Sequence, residues 1–115
     1  MMEIQTTKSG GVTVIGVRGS VDGLTADDLM RTFSEHVTGG SVHLVCDCSA
    51  LDYTSSAGLR SLLSAVKLAR QHGGDLRLAA IQTQVLRVLD LSGFTGIMKH
   101  YPDVQSAVGS YVNKT

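Results

Sequence analysis

The chain has 115 residues, 43% of them hydrophobic, with 13 glycines and 1 proline. This size and composition predict one domain that buries roughly 65% of its unfolded surface without disulfide or metal staples. Ten basic residues balance ten acidic ones, and five aromatics include no Trp, which excludes the basic footprint and the stacking platforms of a nucleic-acid binder. The charged fraction of 17% is low for a soluble domain, as in proteins that dock onto others.

The start, Met1-Met2-Glu3-Ile4-Gln5, lacks a basic segment followed by an apolar one. No stretch approaches the about 18 to 20 apolar residues that span a bilayer. A cytoplasmic protein is expected, bound to no membrane. Ile4 to Lys8 and Val12 to Val17 read as strands separated by Ser9-Gly10-Gly11, a hairpin turn with glycine supplying positive φ. Thr25-Ala26-Asp27-Asp28 resembles a capping box with Asp in place of Glu, and Ala26, Met30, Phe33 and Val37 form the buried stripe of a first helix ended by Gly39-Gly40. Val42 to Cys48 is a nearly continuous apolar run, the mark of a strand covered on both faces.

A second helix follows Thr54-Ser55-Ser56. Leu59, Leu62, Leu63, Val66 and Ala69 make its buried stripe, and Arg60, Ser64, Lys67 and Gln71 recur on the opposite side until Gly73-Gly74. Asp75 to Ala80 reads as a strand. Thr83 is expected to cap a third helix carrying Val85, Val88 and Leu89, stopped by Ser92-Gly93. Ile97 to Tyr101 reads as an edge strand, and Asp103 to Tyr111 as a last helix with Val104, Ala107, Val108 and Tyr111 on one face. The order predicts a single α/β domain over residues 1–115: a mixed sheet of about five strands, an antiparallel hairpin then parallel strands, with about four helices.

Enzyme signatures are missing. There is no phosphate-cradling glycine loop, and Thr54-Ser55-Ser56-Ala57-Gly58 supplies only the second glycine of a nucleophile elbow. His36, His43, His72 and His100 are scattered without ligand spacing. Cys46 and Cys48 share one strand face with Cα atoms about 6.6 Å apart, too strained for a disulfide, and nothing nearby completes a metal site. Neither a metal nor a cofactor is expected, and the two thiols read as small buried hydrophobes.

Hydroxyls concentrate at Tyr53-Thr54-Ser55-Ser56, between the buried strand and the second helix, where ligands commonly meet parallel α/β sheets. One reading makes a serine the helix N-cap. The other makes it an exposed phosphoacceptor, whose added charge of about −1.5 to −2 suits a helix N-terminus but not a partner surface matched to a neutral hydroxyl.

The chain resembles single-domain STAS proteins, the anti-sigma factor antagonists, over nearly its whole length. The resemblance rests on Gly19-Ser20-Val21-Asp22, Val45-Cys46-Asp47-Cys48-Ser49-Ala50-Leu51, Tyr53-Thr54-Ser55-Ser56-Ala57-Gly58-Leu59-Arg60, Gly73-Gly74-Asp75-Leu76 and the run from Val85 to Phe94. The family motif is Asp-Ser-Ser-Gly-Leu, with its first serine phosphorylated. Aligned through Gly58-Leu59, it implies Ser56 as phosphoacceptor, with Ala57 at the second serine and Ser55 replacing the Asp; Ser55 is the alternate acceptor.

The resemblance implies a non-enzymatic module that, unphosphorylated, binds an anti-sigma factor that is also a serine kinase and so frees a sigma factor. A PP2C-type phosphatase would reset it. Partner contact is expected through Asp22, Thr54, Ser55, Ser56, Ala57, Gly58, Arg60 and Lys67, with Asp47 holding the loop that bears Ser56. The alternative is a constitutive STAS scaffold or accessory subunit of a transport or stress-signalling complex, in which the serines only cap the helix. The sequence does not decide between a monomer and a weak dimer.

Overall fold

Val12, Thr13, Val14, Ile15 and Val17 bring β-branched side chains to adjacent positions, a composition that suits a pleated surface packed on both sides. In the structure, a computed structural model describing residues 2–111, they open β2 (Val12–Val21), the second arm of a hairpin with β1 (Met2–Ser9). Gly10 and Gly11 turn the hairpin with φ of 54° and 85°, values that side chains resist. There follow α1 (Ala26–Thr38), β3 (His43–Asp47), β4 (Leu51–Thr54), α2 (Ser56–Gln71), β5 (Asp75–Ala79), α3 (Thr83–Leu91), β6 (His100–Tyr101) and α4 (Val104–Gly109).

The sheet runs β1-β2-β3-β5-β6, antiparallel at β1/β2 and parallel from there on. The expected single α/β domain with four helices is therefore present. The strand not anticipated is β4, which takes over from β3 as the neighbour of β2: Gly16 pairs with Asp47, and after a register shift at Gly19/Ser20, Ser20 pairs with Tyr53 and Val21 with Thr54. This handover carries the chain to the far end of β2, where α2 begins.

Residues of α1, α2 and α3 share one core against the sheet, built on Phe33, Ile15, Leu29, Leu44, Leu62 and Leu89. On the other face a smaller cluster of Val12, Val14, Val45, Ala79 and Ala107 receives Val104, Val108 and Tyr111, the face expected for α4. The Tyr111 hydroxyl lies 2.7 Å from the carbonyl oxygens of both Leu44 and Asp75, between which its single proton is shared. Arg77 lies 4.0 Å over the ring and His43 meets it edge-on at 5.0 Å. Buried Asp75 is matched by Arg70 Nε at 2.9 Å and Arg77 Nε at 3.1 Å, so its charge does not stand alone in the interior.

Several local expectations are corrected. Thr25 is not a capping-box residue: it sits at φ −104°, ψ −12° with no side-chain cap bond, because its hydroxyl turns back to Asp22. Leu29, rather than Met30, completes the buried stripe of α1, and Met30 only packs against the core. Leu63 of α2 is likewise peripheral, while Ala65 is fully buried. Gln82, not Thr83, is the N-cap position of α3, and Val88 is 38% exposed beside buried Val85 and Leu89. Pairing to β5 involves only His100 and Tyr101, since Phe94–Gly96 form a 3-10 turn and delay the edge strand expected from Ile97.

Candidate functional site

At the junction of β4 and α2 the two adjacent serines do different things. The Ser55 amide donates to Val21 O at 2.8 Å, its backbone is extended, and its Oγ accepts the Gly58 amide at 3.2 Å. Ser55 is therefore the N-cap, satisfying one of the orphan amides of the first turn. Ser56 is the first helical residue and is exposed, and its hydroxyl has no hydrogen-bond partner among the described residues. The first turn carries no acidic side chain, leaving the positive end of the helix dipole uncompensated. Thr54 is buried with its hydroxyl donating to Ser55 O at 3.2 Å. Gly58 is also buried: a Cβ there would overlap Thr54 Oγ1 and the Val21 side chain.

Beside this junction stands the loop from β2 to α1. Asp22 Oδ1 accepts the Leu24 amide at 2.9 Å, the Thr25 amide at 3.1 Å and the Thr25 hydroxyl at 3.1 Å. The Leu24 amide, then that of Thr25, holds the Asp22 carboxyl below the usual carboxylate range. One oxygen of Asp22 thus fixes the loop, and Leu24 stands at its apex with 89% of its surface exposed. Between loop and helix lies a groove of about 260 Å³, lined by Gly23, Ala26, Asp27, Ala57, Arg60 and Ser61 among others. Ser61 Oγ donates to Ala26 O across its floor at 3.0 Å.

Asp22, Ser55, Ser56, Ala57 and Arg60 thus gather at one end of the molecule, and exposed Lys67 continues the outer stripe of α2. Thr54 and Gly58, expected to touch a partner, are buried, and their part is to shape the turn. Asp47 is half-buried, but its carboxylate accepts the Ser49 amide at 3.0 Å and so fixes the approach to β4, not the turn bearing Ser56. Exposed Leu24 escaped sequence reasoning, and Tyr53, singled out there in the hydroxyl cluster but not among the expected partner contacts, is 55% exposed. The signal for Leu24 was a lone leucine inside a Gly-Leu-Thr turn, ahead of any helical period.

A cleft of about 660 Å³ lies elsewhere, lined by Glu3, Gln5, Gly16, Arg18, Asp47 and Ser49 among others. By strand alternation it continues the sheet face that α4 covers lower down. Among the described residues no group of three His, Cys, Asp or Glu could hold a metal. Cys46 and Cys48 are free and buried, with Sγ atoms 3.8 Å apart. The Cys48 thiol first, and burial second, push the Cys46 thiol up, which keeps it protonated.

The STAS domain family profile matches residues 3–107. A candidate anti-sigma factor antagonist of Bordetella bronchiseptica, BtrV, is 34% identical over 96 residues, 84% of this chain and 83% of that one. The anti-sigma F factor antagonist of Paenibacillus polymyxa is 28% identical, covering 93% of this chain and 92% of its own. An anti-sigma factor antagonist from Mycobacterium paratuberculosis superposes with a TM-score of 0.89 at 24% identity, over 98% of this chain and 96% of that one. SpoIIAA, an antagonist solved in unphosphorylated and phosphorylated forms, shares the fold at TM-scores of 0.71 and 0.70 and identities of 12% and 16%, each covering 94% of this chain and 94% and 96% of its own. The chain belongs to the STAS domain family. It is a binding module of the anti-sigma factor antagonist kind rather than an enzyme. No helix among the described residues is long and apolar enough to cross a membrane.

Proposed function

We propose that this chain is a cytoplasmic anti-sigma factor antagonist switched by phosphorylation of Ser56. Unphosphorylated, it binds an anti-sigma factor that is also a serine kinase, freeing a sigma factor for transcription. Contact runs through the exposed rim of the site: Asp22 and Leu24 on the loop, Ser55, Ser56 and Ala57 at the turn, and Arg60 and Lys67 along α2. The bound kinase transfers the γ-phosphoryl group of ATP to Ser56 Oγ, the hydroxyl proton passes to its base, and ADP leaves. A PP2C-type phosphatase removes the phosphate by hydrolysis.

The observation that carries this reading is the division between the serines: Ser55 Oγ is engaged as the cap, and Ser56 Oγ is exposed, with no hydrogen-bond partner among the described residues, at a helix end whose first turn holds no acidic side chain. A phosphate there leaves the cap intact and meets a favourable dipole, so the fold tolerates what the interface does not. Unmatched charge in an interface costs a few kcal/mol, and about 2.7 kcal/mol already weakens binding 100-fold.

The test is intact-mass and site mapping after incubation with ATP and an extract of the source organism. The wild type and Ser55→Ala should gain one phosphoryl group, and Ser56→Ala should gain none. A gain lost only in Ser55→Ala overturns the assignment to Ser56. No gain in an extract proven to contain an active kinase of this type favours the constitutive scaffold.

A further inference from the structure

Ser56 and Arg60 are four residues apart on α2, and both side chains are exposed. At this spacing two side chains lie one above the other with about 6 Å of rise between them. An anion on the N-terminal side of a cation is the favoured order. Arg31, Arg70 and Arg77 are each committed to an Asp, at 2.8, 2.9 and 3.1 Å. Arg60 makes no hydrogen bond or ion pair among the described residues, and it borders the groove between α1 and α2, which leaves its guanidinium room to swing.

The charged groups around it are few. Asp27 lines the same groove from α1, and Asp22 lies in the neighbouring loop with Oδ1 already accepting three bonds. Asp52 of β4 takes the Gln82 side-chain amide at 3.2 Å. Lys67 is seven residues beyond Arg60, about 10 Å along the helix, too far to compete with it.

We propose that Arg60 receives the phosphate placed on Ser56, forming a phosphoserine–arginine pair across the first turn of α2. The inference rests on Ser56 as the phosphoacceptor and deepens that reading. Phosphorylation then changes the docking surface twice, because it adds a dianion and withdraws the arginine that the unmodified protein offers to its partner.

The test installs phosphoserine at position 56 of the full chain during synthesis, by suppression of an amber codon, in wild type, Arg60→Gln, Arg60→Lys and Lys67→Gln backgrounds. Phosphorus NMR then follows the second phosphate ionisation, ordinarily near about 6. The wild-type midpoint should lie about 0.3 pH units below that of Arg60→Gln, as expected for one i,i+4 ion pair. Arg60→Lys should stay close to wild type, Lys67→Gln should not move, and the difference should shrink in about 1 M salt. Equal midpoints in wild type and Arg60→Gln overturn the pair. So does an equal shift in Lys67→Gln, which would trace the effect to general charge. Because no kinase is needed, these outcomes are separate from the extract experiment, whose failure overturns the phosphoacceptor reading itself.

Discussion

Ser61 Oγ, buried at 9% exposure, donates to the carbonyl of Ala26 at 3.0 Å, bonding the second turn of α2 to the first residue of α1 through a single hydroxyl. This bond sets the spacing between the Leu24 loop and the Ser56 turn. Ser61→Ala removes it with little change in volume and should cost about 1 kcal/mol, the net value of a typical hydrogen bond. The denaturation midpoint should fall with an unchanged m-value, and an unmoved midpoint would refute the bond's role.

The two serines should separate cleanly in stability. Ser55→Ala loses the cap on the Gly58 amide and should cost about 0.5 to 2 kcal/mol. Ser56→Ala, at an exposed side chain without a partner, should stay within about 0.5 kcal/mol of wild type. Urea melts of both variants check this, and the reverse order would exchange the roles given to the serines.

Gly58→Ala sets two effects against each other. Alanine is favoured in a helix by about 1 kcal/mol, but its Cβ would meet Thr54 Oγ1 and the Val21 side chain, both on stiff β-branched residues. Overpacking of this kind costs about 1 to 3 kcal/mol, so the sum should be destabilising or, at best, neutral. A variant more stable than wild type would show that the turn relaxes freely.

Acid should release the Asp22 loop and the Asp103 cap of α4 only once pH falls below the ordinary carboxylate range. The Asp22 carboxyl is held low by the Leu24 and Thr25 amides, and that of Asp103 by the Ser106 amide at the N-terminus of α4. A depressed folded-state pKa adds stability that is complete above the unfolded value of 3.8 and is lost as pH falls through the folded value. Side-chain carboxyl NMR should place both midpoints below those of the same residues in short peptides, with Leu24 and Ser106 amide shifts following them. Midpoints at or above the peptide values would contradict the geometry.

Most of the architecture was legible because long segments declared their period: Leu59, Leu62, Val66 and Ala69 for α2, and the apolar run ending at Cys48 for β3. β4 was not, since in Leu51–Thr54 only the end residues are buried and no alternation can show. Thr25 misled because its hydroxyl can serve a turn as well as a helix, and Asp22 at the preceding bend offered the better set of bonds. The family motif pointed to the serine pair, but which serine caps and which is free depended on where α2 starts, a boundary uncertain by a residue or two. The burial of Thr54 and Gly58 was hidden for a different reason, as both answer to Val21 on a strand more than thirty positions away.

Tyr111 is pinned where β3 and β5 begin, while Ser55 hangs from Val21, where β2 ends. Thr13 stands level with Leu44 in the sheet, and the eight residues from there to Val21 span about 26 Å. The molecule therefore has two poles. A dye or solid support coupled on the Tyr111 side would leave the Ser56 pole facing solution, giving partner capture a defined orientation without a change to any residue of the site.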